Sequence, residues 1–310
     1  QAMSDTFAID PAILDTLAFS GMDEEVFRQR ALASRDGLKL FEHSLSFIRY
    51  RMTAVDQGKP TLVVLPDAPA TVESYDGFIA ALEAQFNIVV MEMPGFGFSF
   101  PKSPESLEFE QSCQILVAAL ESLSCPRIIL VGPCIQGLFA ARIAEIMGAK
   151  LAGVIIGQTG DFAEQRKWID AGLGGATLAQ PFVGQIGFRM NREKMSIGFW
   201  LPFAAGPGAP LDMLKEEARK VQRAGCCYAL ASQVQKLRNA APTTLDVPIP
   251  AEVLWGMADR SHLETDRRTV MAYAPNAAYH EWEGIGHFID LEAPEKLAEA
   301  AHRLLAHSSG

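Results

Sequence analysis

The sequence predicts an α/β fold in which a mainly parallel sheet has helices on both faces and an inserted helical cap. Short apolar runs of strand length alternate with amphipathic helical patterns along most of the chain, as parallel strands joined by helices require. The alternation breaks between residues 161 and 242, where helical patterns and Gly/Pro interruptions replace buried strands. This break predicts a cap above the carboxyl ends of the strands, where open sheets bind ligands.

The chain of 310 residues is long enough for one large core with an inserted subdomain. We assign residues 1–35 to an N-terminal helical extension, residues 36–160 and 243–310 to the α/β core, and residues 161–242 to the cap. The extension is predicted to be helical because apolar residues recur there at helical spacing, followed by a stretch of helical composition.

Each core element is predicted from its own pattern. The strands are apolar or alternating runs bounded by turn residues, and they are expected at 38–47, 47–54, 61–66, 87–93, 128–131, 151–158, 252–256 and 278–283. The helices have apolar residues at helical spacing, and they are expected at 71–86, 107–123, 138–147, 263–274 and 292–306.

Composition narrows the classes of function. No apolar run reaches membrane-spanning length, and no signal-peptide pattern opens the chain, so no membrane association is expected. The five cysteines lack both a disulfide framework and zinc-site spacing, so we expect a reducing, cytoplasmic setting and no metal or other cofactor. The net charge of −10 argues against nucleic acid as a general partner.

Residues 128–148 give the strongest functional signal. An apolar strand leads into a turn flanked by Gly132 and Gly137, and an amphipathic helix follows. This is the context of the nucleophile elbow G-x-S-x-G, with Cys134 in the place of the serine. Because a helix N-terminus favours negative charge, we expect this turn to stabilise a thiolate at Cys134 or an oxyanion beside it. The alternative is a cysteine that only packs in the core.

Three further motifs lie along the chain, one before the elbow and two after it. Residues 92–99 (E-M-P-G-F-G-F-S) match D-x-P-G-x-G-x-S except at the first position. Residues 253–259 (V-L-W-G-M-A-D) and 284–288 (G-I-G-H-F) are typical of a strand that ends in an acid and a loop that carries a histidine. Together these motifs resemble the α/β-hydrolase superfamily, and the resemblance covers roughly residues 38–306.

The resemblance implies a catalytic triad. Cys134 would be the nucleophile, His287 the base and Asp259 the acid that orients it, because this fold supplies the three groups in the order nucleophile, acid, histidine. Asp161, which follows the strand at 151–158, is the alternative acid. The remaining histidines lack the glycine-flanked loop of His287.

The loop after the strand at 61–66 departs from the family pattern. Residues 65–69 (L-P-D-A-P) stand where the family has His-Gly-x-Pro. The resemblance places the oxyanion-binding N–H groups on Ala68 and Ile135. We interpret Asp67 as a cap of the helix that begins near Thr71, in preference to a catalytic role.

A cysteine nucleophile favours thioester chemistry, since its acyl adduct is itself an activated thioester. The chain resembles cysteine acyl- and aminoacyl-transferases and thioesterases of nonribosomal peptide and polyketide assembly. The resemblance implies an acyl-thioester substrate and a phosphopantetheine carrier protein as partner. Two alternatives remain: a hydrolase of thioesters, esters or lactones with the same triad, and a non-catalytic ligand-binding protein. The sequence is equally compatible with Cys134 being an engineered replacement of serine.

The cap supplies candidates for the pocket and for docking. Large aromatic residues are expected to line an acyl pocket, namely Trp168, Phe199, Trp200 and Phe288. Residues 161–242 contain eleven basic and seven acidic residues, a net charge of +4, whereas the rest of the chain carries −14. We predict that Arg219 and Arg223, which share one helical face, help to dock an acidic carrier protein.

Overall fold

The computed structural model describes residues 9–172, 175–240 and 244–307. The strands, in chain order, are β1 (Leu38–Glu42), β2 (Phe47–Met52), β3 (Thr61–Val64), β4 (Asn87–Met91), β5 (Phe96–Gly97), β6 (Ile128–Pro133), β7 (Gly153–Gly157), β8 (Cys227–Tyr228), β9 (Ala251–Gly256) and β10 (Ala278–Trp282). Eight of them form one sheet in the order β1-β2-β4-β3-β6-β7-β9-β10, and β5 pairs with β8 in a separate ribbon.

The main sheet is parallel from β4 to β10, and β1 and β2 add an antiparallel hairpin at one edge. Every residue of β3, β4, β6, β7 and β9 is buried, as expected for strands covered on both faces. The predicted α/β fold with a mainly parallel sheet is confirmed.

Thirteen α-helices surround the sheet within the described ranges. They are α1 (Ile13–Ser20), α2 (Glu24–Leu32), α3 (Asp76–Leu82), α4 (Phe109–Glu121), α5 (Ile135–Met147), α6 (Phe162–Gly172), α7 (Gly175–Leu178), α8 (Val183–Arg192), α9 (Leu201–Ala204), α10 (Leu211–Arg223), α11 (Leu230–Asn239), α12 (Ile289–Glu292) and α13 (Pro294–His307). A π-helical stretch, Glu193–Trp200, joins α8 to α9. Over the residues described, no helix is both long and apolar enough to cross a bilayer.

Two predicted helices are shorter or more broken than the pattern indicated. The helix expected at 71–86 begins as a 3-10 turn, Val72–Tyr75, before α3. The range expected to form a helix at 263–274 contains only the 3-10 segment Arg267–Ala272, and a second 3-10 segment, Arg260–His262, precedes it. An aspartate precedes each segment and accepts a hydrogen bond from the backbone two residues ahead, which favours a short turn over a continuous helix.

The segment between β7 and β9 consists mainly of helices α6–α11 and contributes no strand to the main sheet within its described residues. It does contribute the two-residue strand β8, which the sequence did not predict because so short a segment has no periodicity. Residues 173, 174, 241 and 242 of the predicted cap lie outside the described residues. The exact domain boundaries stay a prediction.

The N-terminal extension packs on the core, although its first eight residues lie outside the described ranges. Phe27 and Ala31 of α2 are buried in a cluster with Phe47 of β2. Beneath α2, the fully buried guanidinium of Arg49 donates to the Ala31 carbonyl and forms ion pairs with Glu73 and Glu92. These contacts fix the extension against the hairpin edge of the sheet.

The strand order places two functional loops side by side. Strand β3 pairs with β4 on one side and with β6 on the other. From β3 the chain continues to β4 towards one edge of the sheet and later returns to β6 towards the other edge, so the order of strands reverses between β3 and β6. Ligands bind at the carboxyl ends of strands at such a switch point. Asp67 and Ala68 follow β3, and Cys134 follows β6, so both loops open onto that point.

Candidate active site

Cys134 occupies the tip of a strained turn between β6 and α5. Its φ of +52° lies in the left-handed region that side chains other than glycine rarely adopt. The turn is held by bonds from the Cys134 N–H to the Gly157 carbonyl (2.7 Å) and from the Thr159 hydroxyl to the Cys134 carbonyl (2.6 Å). A Cβ at Gly137 would lie 2.0 Å from Thr159 Oγ1, so the turn requires glycine there. This is the geometry of a nucleophile elbow.

His287 and Asp259 form a buried pair. His287 Nδ1 lies 2.6 Å from Asp259 Oδ2. Asp259 also accepts from the Ser261 N–H (2.8 Å), the Ser261 hydroxyl (2.7 Å) and Gln158 Nε2 (2.8 Å). Burial opposes ionisation of Asp259, but the charge and hydrogen bond of His287 outweigh it and hold the pKa of that carboxyl well below its usual range. Asp259 is therefore ionised.

Asp161, the alternative acid, does not reach His287. Its carboxylate accepts the N–H of Glu164 at 2.8 Å and so caps the first turn of α6. The structure thus brings Asp259, not Asp161, into contact with the histidine.

A second carboxylate contacts the other ring nitrogen of the histidine. Asp67 Oδ2 lies 2.9 Å from His287 Nε2, and Asp67 Oδ1 accepts from Gln136 Nε2 at 3.4 Å. The helix-cap interpretation of Asp67 is wrong, because the side chains of Thr71 and Ser74 cap the turn that starts at Val72. The carboxyl group that the sequence assigned to backbone capping belongs to the site.

The charges of the site differ from those expected of a ready thiolate. Burial disfavours the imidazolium, but the Asp259 charge, with smaller contributions from Cys134 and Asp67, raises the pKa of His287 well above its usual value. Burial and the negative charge of Asp67 raise the pKa of Cys134 to about 12. The thiol is therefore protonated at neutral pH until a base takes its proton. The helix N-terminus does not compensate for burial beside a carboxylate.

His262 is a third buried group beside the site, and the sequence missed it. Its ring stacks on Trp168 with 4.6 Å between the centroids and lies 5.6 Å from the ring of His287. Burial lowers the pKa of His262 to about 3, so this ring is neutral. Its Nδ1 lies 2.9 Å from Thr265 Oγ1. A neutral stacked imidazole supports the position of His287 without adding charge.

Within the described residues, Cys134, His262 and His287 form the one group with metal-ligating atoms close together, all within 4.8 Å of one another. Both ring nitrogens of His287 already contact carboxylates, at 2.6 and 2.9 Å. An ion would have to displace Asp67 to bind His287. The arrangement suits proton transfer better than metal binding, and the lack of a resident metal stays a prediction.

A cavity of about 440 Å³ adjoins Cys134. Its described lining includes the predicted residues Ala68, Ile135, Trp168, Phe199 and Trp200. Other apolar lining residues come from the cap, namely Leu178, Phe188, Met195, Tyr228 and Leu230. Phe199 is 59% exposed, so it lies at the rim. The cavity is large enough for an apolar acyl group.

Phe288 is the one predicted pocket residue that the described lining of the cavity does not include. Its side chain is buried, and its ring meets the His287 ring edge-to-face with 5.2 Å between the centroids. The chain turns into α12 directly after His287, which directs Phe288 into the core and away from the cavity. Phe288 therefore supports the histidine from behind.

The histidine loop is bonded to residues 204–206 of the cap. The His287 N–H donates to the Ala204 carbonyl of α9 at 3.0 Å. The carboxylate of Glu292 accepts the N–H groups of Gly206 (3.1 Å) and Gly286 (2.8 Å). The two backbones are so close that a Cβ on Gly286 would lie 2.1 Å from the Gly206 nitrogen. The cap thus helps to place His287.

The fold and the elbow define an enzyme class in which a nucleophile follows a central parallel strand and a histidine–acid pair faces it. A family model described as the alpha/beta hydrolase family matches residues 62–300. The chain belongs to the α/β hydrolase family.

Individual relatives are distant. A Saccharomyces cerevisiae protein described as an uncharacterized hydrolase is 23% identical over 144 residues, and the match spans 46% of each chain, about half the length of that relative. Epoxide Hydrolase A from Mycobacterium thermoresistibile has a TM-score of 0.67 at 17% identity, covering 87% of this chain and 98% of its own. A Pseudomonas aeruginosa structure provisionally assigned as an epoxide hydrolase has a TM-score of 0.71 at 15% identity, covering 90% and 97%. These likenesses show the fold.

Asp290, next to the histidine loop, gives the fold a pH dependence. Its Oδ2 accepts the Tyr75 hydroxyl at 2.5 Å, and burial raises its pKa to about 6. The pKa of an aspartate in the unfolded chain is about 3.9, so between about pH 4 and 6 the native state binds more protons than the unfolded state. The native state therefore loses stability as pH rises through that window. We expect Asp290→Asn to reduce this loss, measured by urea unfolding at about pH 4.5 and 6.5. An unchanged difference between the two pH values would contradict the assignment.

Proposed function

We propose that the chain is an acyl-transfer enzyme that forms a covalent thioester on Cys134 from an acyl-thioester substrate. The observation that carries the proposal is the position of Cys134 at the left-handed tip of the elbow. Its side chain lines a cavity of about 440 Å³, and its sulfur lies within 4.8 Å of a ring nitrogen of His287, which is paired with Asp259. A thiol at this point can attack a carbonyl carbon held in the cavity.

The proposed reaction has two halves. Cys134 releases its proton toward His287, its sulfur bonds to the acyl carbon, and the bond from that carbon to the leaving thiol breaks as the leaving sulfur takes up a proton. An acceptor thiol or amine then loses a proton, attacks the same carbon and releases Cys134. The N–H of Ile135, at the start of α5, faces the negative charge that develops on the carbonyl oxygen. Asp259 keeps the imidazole oriented throughout.

Burial favours transfer over hydrolysis. Cys134 is only 1% exposed, and the cavity beside it is lined mainly by apolar side chains. Such a site limits the access of water to the acyl adduct, while the adduct keeps the activation of the substrate thioester. A thioesterase, or an ester or lactone hydrolase, is the alternative outcome of the same chemistry. An epoxide opened by Cys134 would instead leave a thioether, which has no carbonyl for water to attack and would not turn over.

The proposed donor is a carrier protein that docks on the basic residues of the cap. Arg219 lies 3.2 Å from Glu193, and Lys220 lies 2.8 Å from Glu216, so acids of the cap partly neutralise this face. Docking predicts that the double variant Arg219→Glu, Arg223→Glu loses transfer from a carrier-bound acyl group but keeps transfer from a small soluble thioester. Equal transfer from the carrier by variant and parent would reject this face.

The test of the function is intact-protein mass spectrometry after incubation with a panel of acyl-thioesters that differ in chain length and polarity. We expect one thioester class to add its acyl mass, with the adduct mapped to Cys134. Adding a thiol or amine acceptor should then discharge the adduct into an acyl-acceptor product. Release of free acid alone would favour the hydrolase. A panel without any adduct or turnover would favour the non-catalytic binding protein.

A further inference from the structure

Asp67 has no role in the triad, yet it holds the histidine nitrogen that a nucleophile normally uses. We propose that Asp67 is a fourth catalytic group, which accepts the proton of Cys134 through His287 and then, as a neutral acid, donates a hydrogen bond to the acyl carbonyl oxygen. The inference rests on the proposed function and adds to it the group that carries the proton.

The first observation is that the imidazole of His287 lies between two carboxylates. Asp259 contacts Nδ1 at 2.6 Å, and Asp67 contacts Nε2 at 2.9 Å. Where both carboxylates are ionised they only accept hydrogen bonds, so both ring nitrogens then carry protons and the ring is an imidazolium. An imidazolium cannot accept a proton from Cys134. The proton on Nε2 must move first, and Asp67 is the acceptor already bonded to it.

The second observation is that the two carboxylates have different environments. Asp259 accepts three hydrogen bonds besides that of His287, all at 2.7 or 2.8 Å. Besides its contact with His287, Asp67 accepts a long bond from Gln136 and one from the backbone N–H of the next residue, Ala68. It also borders the apolar cavity. Fixed donors stabilise a charge, whereas apolar surroundings favour the neutral acid. When the environments of two carboxyl groups differ in this way, the less solvated one is the group that takes the proton.

The third observation is where Asp67 lies. It precedes Ala68 in the loop after β3, and β3 pairs with β6, which ends at Cys134. Asp67, Ala68, Cys134 and Ile135 all line one cavity. A substrate carbonyl bound for attack by Cys134 therefore has its oxygen on the side of the cavity formed by these residues. A protonated Asp67 can donate to that oxygen, where an ionised one would repel it.

The proton transfers balance as follows. The Nε2 proton of His287 moves to Asp67 Oδ2, and the freed Nε2 takes the proton of the Cys134 thiol, whose sulfur lies within 4.8 Å of a ring nitrogen of His287. The site then holds a thiolate, an imidazolium, ionised Asp259 and neutral Asp67, with no change in total charge. As the bond between the acyl carbon and the leaving sulfur breaks, the leaving thiolate takes the Nε2 proton, and Asp67 returns its own proton to Nε2.

Other titratable groups face Asp67 and His287 from the surrounding elements, namely Tyr75, Tyr228, His262, Asp290 and Glu292. The two tyrosines are neutral because burial raises the pKa of each well above its usual value. Asp290 is bonded to Tyr75, and Glu292 to backbone N–H groups. Among the residues that the structure describes, Asp67 and Asp259 are the two whose carboxylates hydrogen-bond to the imidazole of His287.

The test is Asp67→Asn, studied with two reagents that act at the same sulfur. Iodoacetamide needs only the thiolate. Removing the Asp67 charge lowers the pKa of Cys134, so alkylation at Cys134, followed by peptide mapping across pH 5–10, should be about tenfold faster at pH 7. Acylation by the acyl-thioester identified with the panel also needs the hydrogen bond that neutral Asp67 donates to the acyl carbonyl oxygen. Acylation of the variant should therefore be slower by about 10²-fold.

Asp290→Asn is the matched control, because it removes a nearby buried carboxyl group that does not contact His287. It should leave both rates within about threefold of the parent, and thermal unfolding should show that each variant is folded. Asp67→Ser replaces Asp67→Asn if the latter does not fold. A fall in both rates, or acylation that is unchanged or faster, would overturn the role of Asp67. No acyl adduct on the parent would reject the proposed function and with it the role of Asp67, whereas an adduct whose formation is not slowed by Asp67→Asn would overturn the role of Asp67 alone.

Discussion

Replacing Cys134 with alanine is expected to lower kcat/KM for acyl transfer by at least about 10⁴-fold and to remove the acyl adduct from the mass spectrum. The reason is that no other cysteine lies at the elbow: Cys113, Cys226 and Cys227 are buried elsewhere, and Cys125 precedes β6. The fold should survive, because the one hydrogen-bond contact of the Sγ atom among the described residues is a weak one with Gln165 at 3.9 Å.

Cys134→Ser separates the nucleophile's chemistry from its position. An acyl-serine is an oxygen ester, and its formation from a thioester is downhill, so return of the acyl group to a thiol becomes unfavourable. We expect the serine variant to lose transfer to thiol acceptors while it retains slow release of free acid.

Transfer at more than about a tenth of the parent rate by Cys134→Ala would show that the acyl group never resides on Cys134.

Asp259→Asn is expected to lower kcat/KM by about 10²–10⁴-fold, with little change from Asp161→Asn. The amide cannot supply the charge that stabilises the imidazolium, and of the two carboxylates that contact the ring Asp67 alone would remain. Asp161 caps α6 and does not contact His287, so it is a control of matched chemistry.

The comparison of the two variants uses the same thioester and acceptor, with kcat and KM measured separately. A triad acid should act mainly on kcat, because it works after the substrate binds. Comparable losses in both variants would indicate a general effect of removing negative charge. A loss confined to Asp161→Asn would move the acid to the position after β7.

Much of the architecture was predictable because it is encoded locally. The buried strands are short apolar runs, and the elbow is a contiguous motif whose glycines have a steric cause, as Gly137 shows against Thr159. The partnership of His287 with Asp259 followed from the order of motifs along a known fold. None of these inferences required contacts between distant side chains to be known in advance.

The parts that were missed depend on such contacts. Asp67 and His287 are 220 residues apart, and their bond exists only because β3 and the histidine loop end at the same edge of the sheet. The signal was present as Pro-Asp in the place of His-Gly, but helix capping was the preferred interpretation of Asp67. Burial was also decisive for Cys134, whose pKa depends on three-dimensional surroundings that a helix N-terminus does not reveal.

The bond between the histidine loop and residues 204–206 limits how this protein can be remodelled. Exchanging caps among family members would be a natural way to change substrate range, but here the cap is not an independent module. Its Ala204 carbonyl fixes the His287 backbone, and Gly206 shares the Glu292 carboxylate with Gly286. A chimera that keeps residues 204–206 should stay active, whereas one grafted through them should misplace the base even when the foreign cap folds well.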